Sequence, residues 1–94
     1  MNIEHIQKNK KQGYFVAAEN LKEVGRITYV MSEERKIVID HTEVDPEQEG
    51  HGIGKKLVLS VVEFARANKL KILPICTFAK AIFDKTPEIQ DVLF

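Results

Sequence analysis

Cysteine occurs once, at Cys76, so no disulfide can close within the chain and no thiolate cluster can hold zinc. That usage suits a reducing compartment, and a cytoplasmic protein is expected. Excess charge of either sign is also missing, because fourteen Lys and Arg balance fourteen Asp and Glu. No overall field therefore draws the chain to nucleic acid or to an anionic membrane, and any anion site must be local. Long apolar runs are absent as well: no window approaches the roughly eighteen residues of a spanning helix. The polar stretch from Met1 to Gln12 has no apolar centre of the kind a signal peptide needs. Lipidation motifs, repeats and low-complexity tracts do not occur. His5, His41, His51 and Cys76 lack tight ligand spacing, so no metal site is expected. The lysines at 8, 10 and 11 make too short a basic run to argue for RNA.

What remains is a chain of 94 residues, 44% hydrophobic and 30% charged, enough for one core and too short for two. A single domain over residues 1–94 is expected, with residues 1–12 as a frayed, flexible start. Gly13 to Ala18 is apolar and rich in aromatic and β-branched residues, which predicts a strand. Val24 to Val30 alternates, with Ile27 and Tyr29 on one face and Arg26 and Thr28 on the other, and completes a hairpin. Ile37 to Val44 is a third strand, apolar where it begins and polar where it ends, stopped by Pro46. From Ile53 the period becomes helical through Leu57, Val61, Phe64 and Ala65. A short strand over Leu70–Cys76 follows. Two short helices complete the reading, one capped by Thr77 and one by Thr86 with Pro87 in its first turn. The order β-β-β-α-β-α-α is an α+β domain: an antiparallel meander, a crossover helix and a returning parallel strand.

The crossover helix opens on Glu49-Gly-His-Gly-Ile-Gly54, where three of the five glycines fall at alternate positions. Glycine takes positive φ cheaply and lets backbone N–H groups approach a ligand, and a helix start adds unpaired donors and a positive dipole end. Together these features predict an anion pocket. A dinucleotide fingerprint would need an acidic residue about twenty positions later, where Lys69 and Leu70 stand. A triphosphate loop would end in Lys-Ser or Lys-Thr, whereas Gly54 is followed by Lys55-Lys56-Leu57. Another pyrophosphate ligand is expected.

The run Glu49 to Gly54 resembles the acetyl-CoA-binding motif of the GNAT superfamily of N-acetyltransferases. The wider set resembles the small, minimal GNAT-like family: His41-Thr-Glu-Val-Asp-Pro46, Gly50-His-Gly-Ile-Gly54, Pro74-Ile-Cys-Thr-Phe78 and Thr86-Pro-Glu88. The resemblance implies a truncated acetyltransferase fold and acetyl-CoA as cosubstrate. It also implies an amine acceptor, which could be a protein tail, a polyamine or a small amine. The cofactor would rest on Val44, Gln48, Glu49, Gly50, His51, Gly52, Ile53 and Gly54, chiefly through backbone N–H groups. Glu49 departs from the motif, whose first position is usually Arg or Gln. A carboxylate about 6 Å from a diphosphate charge would cost roughly 0.7 to 3 kcal/mol.

Acetylating an amine of pKa about 10.4 near pH 7.4 costs roughly 4 kcal/mol for deprotonation, so a base is expected. His41 and Glu43 stand two apart on the third strand and so share one face of it, and both precede the glycine loop. The family comparison places His41 and Cys76 at the ends of the two strands flanking the cofactor cleft, which implies that they meet at the thioester. His41, Cys76 and Glu43 are therefore the expected catalytic residues of a direct transfer to an amine. A CoA-binding module without catalysis is the alternative, sharing the loop and differing at those three positions.

Overall fold

The computed structural model describes residues 1–48 and 50–94. A five-stranded sheet runs in chain order, β1 (Asn2–Gln7), β2 (Gln12–Glu19), β3 (Lys22–Ser32), β4 (Lys36–Val44) and β5 (Lys71–Pro74). The first four strands pair antiparallel and β5 joins β4 in parallel across helix α1 (Ile53–Asn68). Helix α2 (Thr77–Lys85) and a 3₁₀ segment (Pro87–Val92) follow. The mixed α+β sheet and its crossover are as the sequence patterning implies.

The inner face of the sheet carries Phe15, Ala17, Ile27, Tyr29, Ile37, Ile39 and Ile72. Against it, α1 buries Ile53, Leu57, Val58, Val61, Val62 and Ala65, the stripe that a 3.6-residue period places on one side. Ala79 and Phe83 of α2 and Ile89 and Val92 complete the same core. Gly25 lies under the start of α1, where a Cβ would stand 2.9 Å from Ile53 Cγ2. The absent side chain is what lets α1 begin directly on β3.

Turn chemistry sets the registers. The β2–β3 hairpin has a two-residue loop, Asn20-Leu21, with both φ positive (50° and 68°) as a type I′ turn requires. Helix α1 ends at Lys69, whose φ of 56° is left-handed without glycine. The Leu70 N–H reaches the Ala65 carbonyl at 2.8 Å and the Lys69 N–H reaches Arg66, the paired bonds of a Schellman ending.

Four sequence expectations need correction. Residues 2–7 are a strand and not a frayed start, because Ile3 and His5 alternate onto the inner face and His5 pairs across from Phe15. Cys76, not Thr77, occupies the N-cap of α2, and no side chain caps it. Thr86 precedes the last segment, but its hydroxyl donates backward to the Ile82 carbonyl at 2.7 Å. That last segment is 3₁₀ rather than α, and Leu93 then bridges to Ile72.

A β-bulge in β4 matters most for the site. Thr28 faces His41 while Tyr29 faces Ile39, so Asp40 is an extra residue, held by the Thr28 hydroxyl donating to its carboxylate at 2.6 Å. One extra residue reverses the alternation beyond it. Ile37 and Ile39 point inward, and after the bulge Thr42 and Val44 do so, leaving His41 and Glu43 outward.

His5 is stacked on Phe15 at 4.2 Å, meets the Phe64 ring edge-on at 4.5 Å and hydrogen bonds Tyr29 Oη through Nε2 at 2.5 Å. Burial lowers the His5 pKa from its usual 6.5. Between the lowered native value and 6.5 the unfolded chain binds more protons, so stability rises with pH across that window. The contribution is complete above 6.5 and is lost as pH falls below it. The urea midpoint should therefore fall between about pH 7 and pH 5, and His5→Leu should show a shallower fall. Equal slopes for the two proteins would exclude His5 as the source.

Candidate functional site

The ladder between β4 and β5 stops at Ile39 opposite Pro74. Proline has no N–H to continue it, and the Ile39 carbonyl instead accepts from the N–H groups of Ile75 and Cys76 at 3.0 and 3.2 Å. Beyond this point β4 runs on to Val44 while the other chain turns into α2. The result is an opening in the sheet beside residues 41–44.

A cavity of about 510 Å³ occupies the inner side of this opening. Its floor is Thr42 and Val44 of β4, and its rim is Gln48, Gly50 and Gly52 with the first turn of α1 at Ile53, Gly54 and Lys55. Phe78 and Ile82 of α2 close the far wall. Gly50 and Gly52 have φ of 87° and 73°, with nothing within 4 Å of where a Cβ would stand. They are needed for backbone conformation and leave the approach to the chain open. Gly52 is the N-cap of α1 and no side chain caps the helix, so the first-turn amides lack side-chain partners. Lys55 adds a cation at the rim. The arrangement suits a long anionic ligand with an apolar arm.

Of the residues expected to hold a cofactor, Val44, Gln48, Gly50, Gly52, Ile53 and Gly54 line this cavity. His51 is exposed beside it, its N–H donating to the Gln48 carbonyl at 3.3 Å, and is not among the lining residues. Glu49 lies outside the described residues. Thr42, Phe78 and Ile82 are additions that sequence reasoning missed. Thr42 is hidden by the Asp40 bulge, whereas Phe78 stood inside the Pro74–Phe78 run and Ile82 one helical turn beyond it.

The structure does not bring His41 and Cys76 into contact. His41 Nε2 lies 2.8 Å from Glu43 Oε1 on the outer face, the two side chains 61% and 75% exposed. Cys76 Sγ instead donates to Thr42 Oγ1 at 3.4 Å on the inner side. Burial raises the Cys76 pKa, but hydrogen bonding by Thr42 and by the Ala79, Phe78 and Thr42 backbone outweighs it, and the net displacement is downward from the usual 9.0. A second, outer cavity of about 430 Å³ lies at the ends of β3 and β4, lined by Glu23, Arg26, Glu43 and Asp45 with Val24, Gly25 and Pro46, and His41 lines neither cavity. Val44 lines both cavities. Among the described residues no cluster of three or more metal-ligating side chains occurs, and no helix is long and apolar enough to cross a membrane.

Residues 13–92 match the family model described as GCN5-related N-acetyl-transferase. Over 99% of this chain and 89% of the other, the structure superposes on a GCN5-like N-acetyltransferase candidate from Staphylococcus aureus, solved by NMR, at 39% identity and a TM-score of 0.74. An aminoglycoside acetyltransferase from an uncultured soil metagenomic sample, solved with sisomicin, shares the fold at 22% identity and a TM-score of 0.73, over 84% of this chain and 61% of that one. A streptothricin acetyltransferase candidate from Bacillus anthracis, solved with acetyl coenzyme A, does so at 18% identity and 0.68, over 85% and 48%. Among individually curated proteins none matches.

Thr42 offers a direct test of the inner-side chemistry. Replacing it with Val removes the hydroxyl at nearly constant volume, so the pH midpoint for Cys76 alkylation by iodoacetamide should move upward, while Thr42→Ser should hold it near the wild-type position. A midpoint unmoved in Thr42→Val would remove Thr42 from the account.

Proposed function

We propose, for a chain that belongs to the GCN5-related N-acetyltransferases, that acetyl-CoA binds the inner cavity and that an amine approaches from the outer one. The observation that carries this reading is the glycine-loop cavity at the opening past Ile39 and Pro74, together with a second cavity at the ends of β3 and β4 that shares Val44 with it. The backbone of Gly50–Gly54 and the start of α1 would receive the pyrophosphate, and Lys55 would offset its charge. In the outer cavity Glu23 pairs with Arg26 and Asp45 with Lys22, which leaves Glu43, beside His41, as the carboxylate without a Lys or Arg partner among the described residues and supports a cationic acceptor. The single free thiol suits a reducing cytoplasm.

Acetyl-CoA supplies an activated acyl group as a thioester. On the acceptor side, Glu43 lines the cavity and holds the His41 imidazole beside it, and His41 takes the proton of the amine. The amine nitrogen bonds to the acyl carbon as the carbon–sulfur bond breaks. On the cofactor side, the Cys76 thiol gives its proton to the departing thiolate, which a lowered pKa eases, and solvent then returns a proton to Cys76 and takes one from His41. The bulge at Asp40 turns His41 away from the face on which Thr42 meets Cys76, which supports separate roles for the two groups.

Gly52→Val places a β-branched side chain at a φ of 73° and should weaken CoA binding by on the order of 1 to 3 kcal/mol in calorimetry. Unchanged affinity in a folded variant would overturn the loop assignment. His41→Ala and Cys76→Ala should keep CoA affinity within about threefold while acetyl transfer falls about 10²-fold, followed by mass spectrometry of candidate amines. Normal turnover in both would dismiss them as catalytic. An acetylated Cys76 that an amine then discharges would replace direct transfer by a covalent route.

A further inference from the structure

The three glycines of the loop do not share one task. Gly50 and Gly52 have positive φ and open space around them. Gly54 is neither left-handed nor open: it is the second residue of α1, buried, and a Cβ there would run into the Phe78 ring at Cζ and Cε2. A side chain at the start of α2 thus lies against bare backbone at the start of α1. Even so, Phe78 remains 42% exposed and lines the inner cavity. Its neighbour on that wall, Ile82, is apolar, whereas the rim carries loop backbone, Gln48 and Lys55. The cavity is therefore two-sided, with anion-binding chemistry on the rim and an aromatic surface on the wall. Leaving a large aromatic surface wet is unfavourable, and an apolar segment of a ligand would cover it.

We propose that Phe78, seated on Gly54, is the binding residue for the acyl-thioester arm of the cofactor, and that Gly54 is glycine in order to admit this ring. The inference rests on the cofactor reading above. It divides the ligand between two sets of contacts: the loop backbone takes the nucleotide diphosphate and Phe78 takes the arm. Glycine at position 54 then governs affinity through a side chain on another helix rather than through its own backbone.

Calorimetry with two ligands separates these contacts: CoA, and adenosine 3′,5′-bisphosphate, which keeps the nucleotide and the first phosphate of the diphosphate and lacks the arm. Phe78→Ala should weaken CoA about tenfold, which is about 1.4 kcal/mol, and leave the bisphosphate within about twofold. Gly54→Ala should weaken CoA in the chain that keeps Phe78, because the new methyl displaces the ring. Added to Phe78→Ala, it should cost nothing further, since the obstruction is gone. Thermal unfolding checks that each variant folds, and Phe78→Leu, which keeps part of the apolar surface and should fall between wild type and alanine, serves if the alanine variant does not fold. Equal loss of both ligands on truncating Phe78, no loss of either, or additive effects of the two substitutions would overturn the proposal. If the wild-type chain binds neither ligand, the cofactor reading fails and this inference with it; if it binds both and Phe78 is indifferent, only the role of Phe78 fails.

Discussion

One extra residue in β4 governs how this molecule presents its chemistry. The hydrogen bond from Thr28 to Asp40 fixes the bulge, and the bulge decides which side chains of 41–44 turn toward the helices and which away. Had the strand kept strict alternation, His41 and Glu43 would have followed Ile37 and Ile39 inward, crowding the cavity with polar groups. Instead Thr42 and Val44 floor that cavity, and a second polar pair stands on the far side. The early end of the β4–β5 ladder at Pro74 is the necessary companion, because reversing the side chains matters only where the two faces can communicate.

Much of this was legible in the sequence, and the parts that were not have physical reasons. The alternation of Ile27 and Tyr29, the helical stripe from Ile53 and the glycine loop are strong local patterns, and each is where periodicity places it. The first strand escaped because only Ile3 and His5 face the core, and a histidine does not announce burial. His5 is inside because Phe15, Tyr29 and Phe64 surround it, a set assembled from three other elements. The bulge at Asp40 escaped for a similar reason: it depends on the partner strand's Thr28, twelve residues away. Reading His41 and Glu43 as neighbours was sound, since two-residue spacing survives beyond the bulge; the face they share could not be read. Gly54 shows the converse limit, because glycine spacing suggests a loop of like members while contact with Phe78 distinguishes one of them.

Electrostatics here is a matter of placement, with the overall charge at zero. Arg66 meets Asp91 through two hydrogen bonds and also donates to the Glu88 carbonyl, fastening the last segment to α1. Arg26 lies over the Tyr14 ring and pairs with Glu23 on the polar side of the sheet. Exposed pairs of this kind add little to stability individually. Their effect is to neutralise Arg66 and Arg26 where they stand, while Lys55 remains at the rim of the inner cavity beside the start of α1.

The bridge from Leu93 to Ile72, with the Phe94 N–H donating to the Ile72 carbonyl at 2.9 Å, seals the outer rim of β5. At the other rim, β1 pairs with β2 alone. The sheet is thus directional, closed beside the opening between β4 and β5 and unsealed at the strand farthest from it. An added strand, whether from another copy or another chain, would meet free backbone groups at β1 and leave the splayed end of β4 undisturbed. A strand added along that rim would leave the opening between β4 and β5 free.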